Sequence, residues 1–387
     1  LVLCLSPLAQ AMSVQELREM MGRTLFACPE RIWPGMTWSD KNIVLATPST
    51  KKAFLIRGQE IKALPDSVAV SFGDSFDFGT WEGAPALYLS LEQEDFRGSK
   101  LLGLLAHEGF HALGQGHLSE TLGYNTDDRS DRFPFQTAPR IQREETRLSL
   151  VASLRGDTKA LGRAVYWNDQ YRLSNPPTGI DVIEGSASYV EHITMALLKL
   201  GCDSSEEELR EEFLKTVTAG QKIGDKGSEP YSLGAIAFFL ARPNFELNLQ
   251  KLDGKKTMQE VLLDGIAPEL NLTPAPKTVR IVEKAVSLAN KAALPFFNKV
   301  KNFLASGREA TFVSTKSLTG AYTLGLSFIS ELGEIWQEVS LPTSLGVVEG
   351  DVIVTNLCGG DGFLVLAKAS HDSGHHVTYK NTPVTCY

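Results

Sequence analysis

Apolar positions recur with two different periods along this chain, and the period changes with position. Met12 to Gly22 has helical spacing. Asn42–Thr47 and Ala53–Arg57 read as two strands joined by a polar turn at Pro48-Ser49-Thr50, and Val68–Phe72 and Ala86–Leu91 as further strands. Glu92–Ser99 is polar, contains Gly98 and reads as a loop ending on a candidate helix cap, Ser99. Leu101, Leu102, Leu104, Leu105, Phe110 and Leu113 then predict a largely buried helix, closed by Gly114 and Gly116.

Arg140–Gly162 and Ala164–Leu173 continue the helical pattern. Asn175-Pro176-Pro177-Thr178-Gly179 breaks it, and a new helix is expected near Asp181. Glu206–Ala219 is a charged amphipathic helix, and Tyr231–Leu240 a helix rich in small residues. Met258–Leu263 and Thr278–Ala292 are helical, with Pro295 interrupting the last run. Beyond Ser306-Gly307 the chain turns to Thr, Val, Ser, Gly and Tyr. Strands are predicted at Thr311–Ser314, Tyr322–Ile329, Glu334–Val339, Asp351–Thr355 and Phe363–Ala367. A small sheet followed by helices is an α+β order. The expected organisation is a domain over 12–306 and a β-rich C-terminal domain over 307–387.

Composition narrows the partners. The 387 residues carry a net charge of −8, with no run of Lys or Arg, which argues against nucleic acid and anionic membranes. Residues 1–11 begin with the apolar stretch Leu1–Leu8 and end in Ala9-Gln10-Ala11, a small-x-small pattern. This reads as the end of a signal peptide, too short to span a bilayer, or as a short buried N-terminal segment. The signal-peptide reading implies an exported protein, periplasmic or secreted, whose cysteines are oxidised. Cys28, Cys202, Cys358 and Cys386 then allow three connectivities. Cys358–Cys386 is the local pair, which leaves Cys28–Cys202.

Candidate chemistry lies in the predicted buried helix. Ala106-His107-Glu108-Gly109-Phe110-His111 is an HExxH string. At 3.6 residues per turn, residues four apart share a face, so His107 and His111 can point two imidazoles at one ion. Glu108 sits beside them, within reach of a water on that ion. Zinc hydrolases use two nitrogen ligands, a third ligand and an open position. The bland alternative is two histidines on an ordinary helix.

Strand, loop and buried HExxH helix together resemble the local layout of zincin peptidases, where a strand edge holds an extended peptide by main-chain hydrogen bonds. Two third ligands are open. Through His117 the string reads HExxHxxGxxH and resembles the metzincins, with Gly114 turning the chain. The methionine turn of that group has no counterpart here: no Met lies between His117 and Met195, and Met195 and Met258 fall in helical runs. Through Glu184, in Glu184-Gly185-Ser186-Ala187-Ser188-Tyr189-Val190-Glu191, the chain resembles the gluzincins, the thermolysin-like group, and several secreted bacterial HExxH families. The alternative for Glu184 is a solvated carboxylate near a helix start. Thermolysin-like enzymes often carry an acid one turn after the third ligand, where it orients a histidine. Ser188 stands there in this chain, so Glu191 or Asp181 is expected to serve. Tyr231 resembles a tyrosine that faces the metal in such families and donates to an oxyanion. Its alternative is a tyrosine packed at a helix start with its hydroxyl in water.

The resemblance implies a zinc-dependent peptidase acting on peptide or protein substrates. Zn2+ would be held by His107, His111 and Glu184, with Glu108 as general base and Tyr231 assisting. One rival is a metzincin-type peptidase using His117. Another is a secreted or envelope binding protein whose closed zinc site uses His107, His111, His117 and Glu184. Leu345–Val354 resembles the Gly-Asp-hydrophobic strand of PDZ domains, so the C-terminal domain is a candidate site for a protein partner. His371, His375 and His376 are expected in an exposed polar loop.

Overall fold

A computed structural model describes residues 13–70, 76–91, 98–115, 131–176, 178–219, 221–306, 310–314, 322–323, 327–343, 346–355, 362–365 and 378–379. Residues 1–11, His117, Cys358, Cys386, His371, His375 and His376 lie outside these. The expectations resting on them (the signal peptide, the metzincin-type third ligand, the local cysteine pair and the C-terminal histidine cluster) lie outside the described residues too. The architecture is α+β, with a small N-terminal sheet followed by helices. The chain divides into two compact units. One comprises Leu1–Thr126, Glu145–Lys222 and Ser228–Leu272, and the other Asp127–Glu144, Ile223–Gly227 and Thr273–Tyr387.

In the first unit, helix Val14–Arg23 is started by a capping box between Ser13 and Glu16. The five-stranded sheet contains β1 (Asn42–Thr47), β2 (Lys52–Arg57), β3 (Glu60–Leu64), β4 (Phe76–Trp81) and β5 (Ala84–Ser90) in the order β3-β2-β1-β5-β4. β1 and β5 are parallel and central; the other pairs are antiparallel. Central position explains why β1 reads as a continuous apolar run, buried on both sides.

Residues 66–70 correct one expectation. Val68–Phe72 read as a strand, but Asp66–Val70 is a short helix. Pro65 is preset for a helical start, Asp66 suits the first turn, and the Val68 N–H bonds the Pro65 carbonyl at 3.0 Å. Ala69 then packs on Val44, Ala53, Leu55 and Leu64 of the sheet.

Three helices carry the residues of interest. The histidine helix is Ser99–Leu113, the glutamate helix Ile180–Leu200 and the tyrosine helix Glu229–Ala241. The histidine helix begins after Gly98, whose φ of 62° favours glycine, and Ser99 is inside the helix rather than its cap. The glutamate and tyrosine helices approach backbone to backbone. A Cβ added to Gly185 would lie 2.5 Å from Gly234 Cα, and one added to Gly234 would strike the Asp181 carbonyl. Cys28 and Cys202 form a disulfide with Cα atoms 5.8 Å apart, matching the expected pair. No helix among the described residues is long and apolar enough to cross a membrane.

In the second unit, helix Pro276–Ser306 runs through Pro295 instead of stopping there. The hydrogen bond lost to proline is offset by its apolar face. Ala293 and Val300, with Phe296, Phe297 and Phe303, pack with Phe328 and Ile335. The unit boundary at Leu272/Thr273 therefore lies upstream of the composition change at Ser306-Gly307. The strands expected beyond that change form one sheet, with Gly333–Thr343 and Gly346–Thr355 as its long antiparallel pair.

Gly234→Ala is expected to destabilise the protein by about 1–3 kcal/mol, because the atoms it would meet are backbone and have no rotamer to yield. Urea unfolding monitored by tryptophan fluorescence measures it.

Candidate metal centre

His107 and His111 follow one another by a turn of the histidine helix, which is buried along Leu101, Leu102, Leu105, Ala106 and Phe110. Its glycine at 103 lets the glutamate helix come close: a Cβ there would sit 3.0 Å from Met195 Sδ and 3.4 Å from Glu191 Cγ. The two helices thus cross where one carries imidazoles and the other carboxylates.

Three donor atoms converge at this crossing. His107 Nε2 lies 3.2 Å from Glu184 Oε2, His111 Nε2 lies 3.4 Å from the same oxygen, and the two Nε2 atoms are 3.2 Å apart. Glu184 and His107 are buried, and His111 is partly open. Glu184 therefore does not behave as a solvated acid at a helix start.

The tautomers can be worked out from the partners. Gln115 Nε2 donates to the Ile183 carbonyl and to Ser186 Oγ, both at 2.6 Å. This fixes the amide orientation, so Gln115 Oε1 accepts from His111 Nδ1 at 2.6 Å. With its proton on Nδ1, His111 presents a lone pair at Nε2. Glu191 Oε2 accepts from His107 Nδ1 at 3.2 Å and orients that ring as well. Of the two candidates for that orienting role, Glu191 is the one that meets a histidine; Asp181 Oδ2 accepts from Gln259 Nε2.

The donor set fits zinc. Bonds of 2.0–2.1 Å in a tetrahedron put neighbouring donors about 3.3 Å apart, which is the spacing of these three atoms. Two imidazole nitrogens and a carboxylate oxygen are also the donor types zinc accepts. The same carboxylates favour a proton. Burial works against charge on His107, yet hydrogen bonds to Glu184 and Glu191 outweigh it and push its pKa up to about 10. A metal and a proton compete for His107 Nε2.

Glu108 lies half-buried beside the pair. Burial raises its pKa, and the neighbouring histidines offset this only in part. Tyr231, in the first turn of the tyrosine helix, stacks on the His107 ring with centroids 5.7 Å apart and planes 16° from parallel. The structure thus brings His107, His111, Glu184, Glu108, Glu191 and Tyr231 into one neighbourhood. Gln115 was not apparent from the sequence. Its signal was an amide four residues after His111, but it stands past the glycine that ends the helix.

Comparison with protein-family models, with curated proteins and with solved structures finds no match to this chain.

Gln115→Leu is expected to keep the fold and weaken zinc binding about 10- to 100-fold, since His111 loses the acceptor that holds its tautomer. A chelator-competition titration reads the affinity, and circular dichroism checks the fold.

Proposed function

We propose that this protein is a zinc-dependent peptidase of gluzincin type, hydrolysing peptide bonds with Glu108 as general base. The observation that carries the reading is the convergence of His107 Nε2, His111 Nε2 and Glu184 Oε2 within 3.2–3.4 Å, with the adjacent Glu108 in the same turn of helix. Three protein ligands leave a tetrahedral cation one position for water, the arrangement of catalytic rather than structural sites.

A bound zinc would supply Lewis acidity and bring the pKa of water to about 7. The chain's own residues do the rest. Glu108 accepts a proton from the attacking water on a carboxylate oxygen and passes it to the leaving amine. Glu191 and Gln115 hold the Nδ1 protons of the two histidines, which keeps both Nε2 atoms aimed inward. Tyr231 stacks on His107 beside the donors, and its hydroxyl would donate to the oxygen on which negative charge develops. The Cys28–Cys202 disulfide supports an oxidising compartment, hence export to a periplasm or beyond.

Glu108→Gln is expected to bind zinc with wild-type stoichiometry and to lose peptide hydrolysis by a factor of about 10² to 10⁴. Metal analysis and a fluorogenic peptide digest, each with and without chelator, test this; retained activity removes Glu108 from the mechanism. Tyr231→Phe is expected to lower kcat about 10²-fold while changing KM little, because the hydroxyl acts on charge that forms only in the transition state. A fall confined to KM would instead make Tyr231 a binding residue.

A further inference from the structure

A cavity of about 300 Å3 opens beside the metal centre and is used by none of the steps above. It lies between the glutamate helix, the end of helix Glu206–Thr218 and the start of the tyrosine helix. Ser188, His192, Gln221, Lys222, Tyr231 and Ser232 supply its polar lining. Two residues connect it to the chemistry. Ser188 is one turn along the helix from Glu184, and Tyr231 both lines the cavity and stacks on His107. Through Tyr231 the cavity adjoins the His107 side of the metal centre.

The lining selects a chemical class. No described lining residue carries a carboxylate, although the chain as a whole is acidic, with 46 Asp and Glu against 38 Lys and Arg. Lys222 is exposed and is the one charged residue of the lining. Gln221 and Ser232 are already paired through a 2.9 Å hydrogen bond, which holds both polar groups in place at the wall. His192 Nδ1 is buried without a hydrogen-bond partner among the described residues. The volume is at the low end of ligand pockets and suits one side chain rather than an extended ligand.

From this lining we infer that the cavity is a specificity pocket for an acidic side chain, Asp or Glu, next to the cleaved bond, with Lys222 as the residue that selects it. The inference rests on the peptidase reading for its substrate, but the pocket can be tested separately. Zinc-loaded full-length protein is given matched peptides with Glu or Gln at each position in turn. Wild type is expected to cleave the Glu member about two- to fivefold faster in kcat/KM at one position flanking the bond, and Lys222→Glu to bring that ratio below 1. Lys222 is at the surface, so the exchange does not threaten the fold. Equal ratios in the two proteins overturn the pocket. Binding of the same peptides, fluorophore-labelled, to the Glu108→Gln protein gives the second readout. A Lys222-dependent preference for Glu in binding, with no chelator-sensitive cleavage by wild type, keeps the pocket and overturns the peptidase reading. Cleavage without discrimination between Glu and Gln does the reverse, and neither binding preference nor cleavage overturns both.

Discussion

Three electron-rich atoms from two helices meet within 3.4 Å of one another in a mostly buried place, and that meeting sets the terms for the rest of the first unit. A buried carboxylate is costly unless paired, and two imidazole lone pairs do not face each other without a cation or a proton between them. A proton on His107 Nε2, or a cation in its place, ties the three atoms together, and the fold supplies their alignment. It does so with rigid elements: a histidine helix buried along most of its length, a glutamate helix buried through its first three turns, and a tyrosine helix pressed against the latter at Gly185 and Gly234.

The two histidines are held differently, and the difference has chemical content. His107 leans on the Glu191 carboxylate, a charged acceptor that makes the ring more basic. His111 leans on a neutral amide whose own donors reach back to Ile183 and Ser186 on the glutamate helix. Gln115 is therefore both a partner for an imidazole and a tie between the helices that supply the ligands. Because Ile183 and Ser186 flank Glu184, the same contact that orients His111 also fixes where the carboxylate projects.

Much of this was readable in the residues, because the strongest signals are local. The HExxH spacing, the apolar pattern around it and the break at Asn175–Gly179 placed the histidine and glutamate helices to within a residue or two. Signals that depend on distant packing were weaker. Asp66–Val70 has strand-like valines, but Pro65 and a sheet face waiting for Ala69 decide it as helix. β3 and β4 went unrecognised, since both are outer strands with mostly exposed residues and so lack the apolar alternation that marks a buried face. Pro295 looked like a stop because the aromatic packing that carries the helix past it comes from strands far along the chain. Gln115 acts through atoms 68 and 71 residues away, a separation no local pattern encodes.

The glutamate helix is also held at its far end, which bears on how firmly Glu184 is placed. Just past Leu200, Cys202 is bonded to Cys28, and Arg31 donates to the Cys202 and Ser204 carbonyls. Arg31 and Arg242 both pair with Glu206 at 3.1 Å, and Arg242 also donates to the Tyr189 hydroxyl at 2.6 Å and to the Arg31 carbonyl at 2.8 Å. Surface ion pairs of this kind add little stability singly. Here they share partners with a covalent link and with a fully buried tyrosine on the same helix as Glu184. A helix fixed at one end by Gln115 and Gly234, and at the other by this cluster, has little freedom to slide or rotate. Rotation by one residue, about 100°, would swing Glu184 away from both imidazoles. The clamps at the ends and the donors near the start are therefore one device: the covalent and ionic contacts remove the motion that would otherwise carry Glu184 out of reach of the two imidazoles.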